Sequence, residues 1–198
     1  MTNRTPNRKA QIVRAATDLF SRHGFDRVTI KELAQACDIT EPAVYRHFKS
    51  KDDIYDAVLD SMAERMKSRD LFDSLTESDD VEVVLHKMAT HVIDFFTRNE
   101  DMHRLLLYSA LHKHAKASKV YEIMRGSFVK FLHDQLDRLY GQKMIVKKNN
   151  EITARCFVGM VFECALGRTL WKGMQGKTYK PADVIANNVP IYARGLKR

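Results

Sequence analysis

Between Thr29 and Phe48 the chain has to start a helix, stop it, turn and start another within twenty residues. Thr29-Ile30-Lys31-Glu32 reads as a capping box, in which threonine and glutamate satisfy each other's orphan N–H groups at a helix start. Ile30, Leu33, Ala34 and Cys37 then supply a short apolar face. This helix must end near Cys37, because Thr40 caps the next one and Pro42 sits in its first turn, where a missing N–H costs little. The turn between them needs a residue that accepts positive φ, and Asp38 is there. Ile39 packs inward from the turn. Val44 and Phe48, four apart, face inward on the third helix and leave Glu41, Ala43, Tyr45, Arg46 and His47 on its other side.

Helices flank this unit. Thr5-Pro6 opens the first, which carries Ile12, Val13, Ala16, Leu19 and Phe20 at helical spacing and ends at Gly24. Ser50-Lys51-Asp52-Asp53 caps a fourth, with Ile54, Tyr55, Val58, Leu59, Met62 and Met66 along it. The chain has a formal net charge of +8, and more than half of that excess falls before Asp52. A basic balance attracts polyanions, nucleic acid or an acidic membrane surface alike. Two short helices joined by a tight turn, the second presenting small and polar side chains, suit a major groove about 12 Å wide. The same pattern also fits a small helical bundle with solvated faces.

The run Ile30-Lys31-Glu32-Leu33-Ala34-Gln35-Ala36-Cys37-Asp38-Ile39-Thr40-Glu41-Pro42-Ala43-Val44-Tyr45-Arg46-His47-Phe48-Lys49-Ser50-Lys51 resembles the DNA-binding domain of the TetR family of regulators, over about residues 8 to 60. The alanine after the second-helix leucine, the Tyr-x-x-Phe and the Ser-Lys-acid-acid that follows all match. Asp38 departs from the usual turn glycine, and Pro42 from a position that is often glycine or polar. The resemblance implies phosphate contacts from Thr29, Tyr45 and Lys51, which would set register and salt dependence without reading sequence. Base reading would fall to Thr40, Glu41, Pro42, Ala43 and Arg46, with His47 shared between groove wall and backbone. A guanidinium fork matches the O6/N7 edge of guanine, so Arg46 is either a base reader or a phosphate contact.

Beyond the fourth helix the pattern stays helical, with no repeat and no strand-like alternation. Asp70 to Asp80 is an acidic joint. Helices are expected from there to Asn99, from Met102 to His114, from Ser118 to Tyr140, from Asn149 or Asn150 to Met174, and from Pro181 onward, with Pro190 kinking or ending the last. The fold class is therefore all-α: a three-helix helix-turn-helix domain over 1–51, a connecting helix over 51–69, and a helical effector-binding and dimerisation domain within 52–198.

The helix from Asn150 is apolar on several sides and so must be covered on several sides. The resemblance implies the cover, a symmetry mate paired through the last two helices. A homodimer is expected through Phe157, Val161, Phe162, Ala165, Leu170 and Trp171 with Val184, Val189 and Tyr192. The resemblance also implies a pocket for a small, largely apolar effector. Its candidate lining is Met88, Val92, Phe95, Leu106, Tyr108, Tyr121, Met124, Phe128, Phe157 and Met160, although methionine and aromatic stripes of this kind are also ordinary core.

Cys37, Cys156 and Cys164 form no CxxC pair and the histidines no HxxxH, so neither a metal nor a cofactor is expected. No P-loop, GxSxG elbow or dinucleotide fingerprint supports an enzyme. No apolar run approaches the roughly 20 residues that span a bilayer, and the start is polar, which points to a cytoplasmic protein. Three functional classes fit: an effector-released repressor on operator DNA, a DNA-binding dimer that is architectural or governed by a protein partner, and a helical dimer acting through protein contacts alone.

Overall fold

In the computed structural model, residues 7–67, 71–169, 171 and 179–198 are described. Among them are the helices α1 (Arg8–His23), α2 (Ile30–Ala36), α3 (Glu41–Tyr45), α4 (Lys51–Lys67), α5 (Val81–Arg98), α6 (Glu100–Leu111), α7 (Ala117–Gly141), α8 (Asn150–Thr169) and α9 (Pro181–Leu196). The one β feature among the described residues is an isolated antiparallel bridge between Ile145 and Lys197. The expected all-α architecture holds. Thr5 and Pro6 lie outside the described residues, and the N-cap of α1 is Asn7, whose side chain accepts from the Ala10 N–H at 3.2 Å.

The chain divides into two compact units. The first comprises Met1–Met66 and Asp101–Tyr121, so α6 and the first turn of α7 belong with the N-terminal helices. This differs from a boundary after residue 51, and Tyr55 supplies the reason. Its buried hydroxyl needs a partner, and the partner is Ser109 Oγ at 2.7 Å on α6. Burial pushes the Tyr55 phenol above its ordinary pKa. Around it Phe20, Phe25 and Tyr55 meet with ring centroids 4.9 to 5.6 Å apart. Ile12, Ala16, Leu33, Val44, Phe48, Ile54, Val58 and Leu59 complete the core.

The second unit comprises Lys67–Glu100 and Glu122–Arg198. Asp80 caps α5 by accepting from the Glu82 N–H at 2.8 Å, and Asn99 ends it. Helix α5 packs on both α8 and α9. Phe128 of α7 is buried among the rings of Phe72, His91, Phe95 and Phe96, all 5.5 to 6.0 Å from it. Asn149 Oδ1 caps α8 through the Ile152 N–H at 3.0 Å. Helix α8 is described to Thr169, and Leu170 and residues 172–178 lie outside the described residues, the expected end at Met174 among them. Pro190 does not end the last helix, which runs on to Leu196. One lost helix bond is outweighed by the buried stripe Ile185, Val189, Ala193 and Leu196, which continues past the proline.

Candidate nucleic-acid interface

The second helix starts as its sequence dictates. Glu32 N donates to Thr29 Oγ1 at 3.2 Å, and Thr29 N and Oγ1 donate to Glu32 Oε2 at 2.8 and 2.9 Å. The hydrogen bonds from Thr29 hold the Glu32 carboxyl below its ordinary pKa. After α2 the chain turns on Asp38 at φ 52°, with Ile39 N donating back to Ala34 O at 3.0 Å. Gln11 of α1 reaches the same turn and donates to Cys37 O at 3.1 Å. Lys9 sits 5.3 Å over the Phe48 ring at the far end of α3. The turn and the recognition segment are thus both pinned to α1.

Thr40 adopts the extended N-cap backbone of α3 but makes no side-chain cap bond, so the helix does not use its hydroxyl. Glu41, Pro42, Tyr45, Arg46 and His47 are exposed, Tyr45 by 53%, while Ala43 is half-buried and Val44 fully buried. Arg46 is the C-cap of this five-residue helix and still lies in the right-handed helical region. The six exposed candidates Thr40, Glu41, Pro42, Tyr45, Arg46 and His47 therefore come together on one short element.

Two of the side chains expected to contact phosphate have partners within the chain. The Thr29 hydroxyl is engaged by Glu32. Lys51 Nζ donates to the carbonyls of Phe25, Asp26 and Val28 at 2.9, 3.3 and 3.1 Å and lies 4.4 Å over the Phe25 ring. An ammonium has three protons, and three carbonyls take them. Lys51 is a staple for the α1–α2 connection. No local signal announces this, because its partners lie 23 to 26 residues upstream.

The other two residue sets are only partly assembled. Of the ten effector candidates, Leu106, Tyr108 and Tyr121 belong to the first unit. Tyr108 packs on the α1–α2 connection, where its hydroxyl donates to Asp26 Oδ2 at 2.6 Å. In the second unit Met88, Val92, Met124, Phe128 and Phe157 are buried, with Phe95 and Met160 partly so. Two grooves border α9 in this unit, and none of the ten lines either. One is about 400 Å³, against α5, and the other about 360 Å³, against α8. Of the dimer candidates, Phe157, Val161, Ala165 and Val189 are buried within their own chain. Phe162 packs edge-on against Phe96 at 4.8 Å, and Tyr192 against Phe157 at 5.0 Å. Val184 is half-buried, Trp171 is 40% exposed and Leu170 is outside the described residues. The apolar side chains that α8 and α9 leave outward are Ile152 and Ile191, each 59% exposed, with Cys156 between them along the groove. Among the described residues no helix is long and apolar enough to cross a membrane, and no cluster of three or more His, Cys, Asp or Glu side chains could hold a metal.

A capped short helix, a left-handed turn and a second helix with an outward polar face define a helix-turn-helix protein. The family model of bacterial regulatory proteins, tetR family, matches residues 12–58, less than half of the chain, and over that segment the chain is similar to the family. The family is one of regulators, not of enzymes. The nucleoid occlusion factor SlmA of Marinobacter nauticus is 34% identical over 111 residues, 56% of each chain. The tetracycline repressor protein class A from transposon 1721 of Escherichia coli is 36% identical over 80 residues, 40% of this chain and 34% of that one. The matched stretch thus spans about half or less of these curated relatives. AibR, solved in complex with isovaleryl coenzyme A and operator DNA, superposes with a TM-score of 0.62 at 21% identity, covering 93% of this chain and 97% of that one. At that identity the likeness is one of fold.

Proposed function

We propose that the chain is a transcription regulator that binds operator DNA as a homodimer, with α3 in the major groove, and that a small, largely apolar effector bound in the second unit releases it. The observation that carries DNA reading is the α3 surface: Thr40, Glu41, Pro42, Tyr45, Arg46 and His47 exposed on an element whose other side is anchored by Val44 and Phe48. Arg46 is the base reader, and Tyr45 a phosphate contact. Pairing uses the outward edge of α8 and α9, Ile152, Cys156, Ile191, Val184 and Tyr192, since an exposed apolar edge of this kind favours a self-complementary contact. The effector is supported by the ligand named for AibR, and its entry requires the rings around Phe128 to part.

A second reading keeps the DNA-binding dimer and replaces the effector with a protein partner or an architectural role. The close packing of Phe72, Phe128 and Phe131 favours it, as does the likeness to a nucleoid occlusion factor. Sequencing duplexes selected by the purified protein from a random pool tests what the readings share: both require an enriched, roughly palindromic motif. A thermal-shift screen with apolar acids and acyl thioesters separates them. The first reading requires a compound that raises the melting temperature and lowers affinity for the selected duplex.

A further inference from the structure

We infer that Tyr108 of α6 is a positioning residue for the helix-turn-helix, latching the α1–α2 connection and so fixing where α2 begins. This rests on the DNA reading proposed above. The connection is short, and a loop of this kind is ordinarily the most mobile part of such a domain. Here it is held from two sides. From α4, Lys51 binds the carbonyls of Phe25, Asp26 and Val28. From α6, the Tyr108 hydroxyl donates to Asp26 Oδ2 at 2.6 Å and accepts from Asp26 N at 3.3 Å, a two-point contact with a single residue.

The approach of the ring depends on Gly24. At φ 80° this residue favours glycine on backbone grounds, and a Cβ there would lie 3.1 Å from Tyr108 Cε2. Just past the end of α6, His112 stacks on the Tyr108 ring with centroids 4.0 Å apart and places Nε2 3.6 Å from the same Asp26 carboxylate. The neighbouring Ser109 bonds Tyr55 of α4 and sets the register of α6. Thr29, which opens α2, follows Asp26 by three residues, so a displacement of Asp26 passes into α2, the Asp38 turn and α3. Tyr108 is partly exposed and not a core filler, so packing alone does not explain the hydroxyl.

The test uses the full chain and the duplex it selects. Tyr108→Phe keeps the ring on Gly24 and removes the latch. Asp26→Ala removes the other half, while the amide oxygen of Asp26→Asn still accepts. Tyr108→Phe and Asp26→Ala are expected to weaken operator affinity by about fivefold each, the scale of one net hydrogen bond, and by no more when combined. Asp26→Asn should recover most of the loss. The slope of log affinity against log salt should not change, because no phosphate contact is removed. Amide exchange at Asp26, Arg27 and Val28 should quicken with the melting temperature little altered.

Affinity within about twofold of wild type in Tyr108→Phe, judged against that same hydrogen-bond scale, overturns the inference. So does a lowered salt slope, which would mark a direct phosphate contact, or a loss accounted for by unfolding. If the wild type selects no motif, the functional reading fails by itself, and the latch then stands or falls on the exchange rates alone.

Discussion

Lys51 illustrates how a side chain's partners decide its job. Family resemblance assigns it to a phosphate, whereas its ammonium is occupied by three carbonyls of the α1–α2 connection. Replacing it with methionine keeps the stem on Phe25 and leaves those carbonyls to water. The half-buried setting puts the expected cost at about 1–2 kcal/mol of stability, visible in thermal or urea melts. The salt slope of DNA binding should fall by much less than the roughly one counterion that a lost phosphate contact would remove. Arg46→Ala should behave in the opposite way. Fold stability should be unchanged, and discrimination at one base pair per half-site should drop by about 1–3 kcal/mol, measured by competition among single-base variants. A uniform loss across all duplexes would make Arg46 a phosphate contact. At this scale the local chemistry was readable: the Thr29–Glu32 box and the positive φ of Asp38 need only residues within a few positions of each other. The Lys51 staple and the Tyr108 latch were not, because each joins residues more than twenty positions apart.

Among the elements, α8 was the hardest to read. Apolar residues occur on all its sides, so periodicity does not say which face meets α5 and which is left outward. Phe157, Val161 and Ala165 turned out to be buried against their own chain, and the outward edge carries Ile152 and Cys156. In α9 the proline suggested a break, yet the stripe from Ile185 to Leu196 is continuous. These assignments make a specific forecast for assembly. Ile191→Glu places a carboxylate on the exposed edge of α9, where a lone subunit tolerates it and a paired one buries it. Sedimentation at micromolar concentration should show the wild type as a dimer and the variant shifted toward monomer, with the variant's helical content intact. A wild type that sediments as a monomer would remove α8 and α9 as the pairing surface.

For the whole molecule, helix count and order followed from caps and spacing, but the division into units did not. Helix α6 lies midway along the chain and yet completes the first unit, because a buried phenol on α4 takes its partner 54 residues away. That placement makes the first unit a helix-turn-helix with a brace built in. If it reads DNA as a two-fold pair, both recognition helices must meet one face of the duplex. Hydroxyl-radical footprinting of the wild type on its selected duplex tests this most directly. The expected pattern is two protected half-sites related by two-fold symmetry, with centres about one helical turn apart or slightly more. A single protected patch, or uniform protection that shifts with any sequence offered, would contradict it.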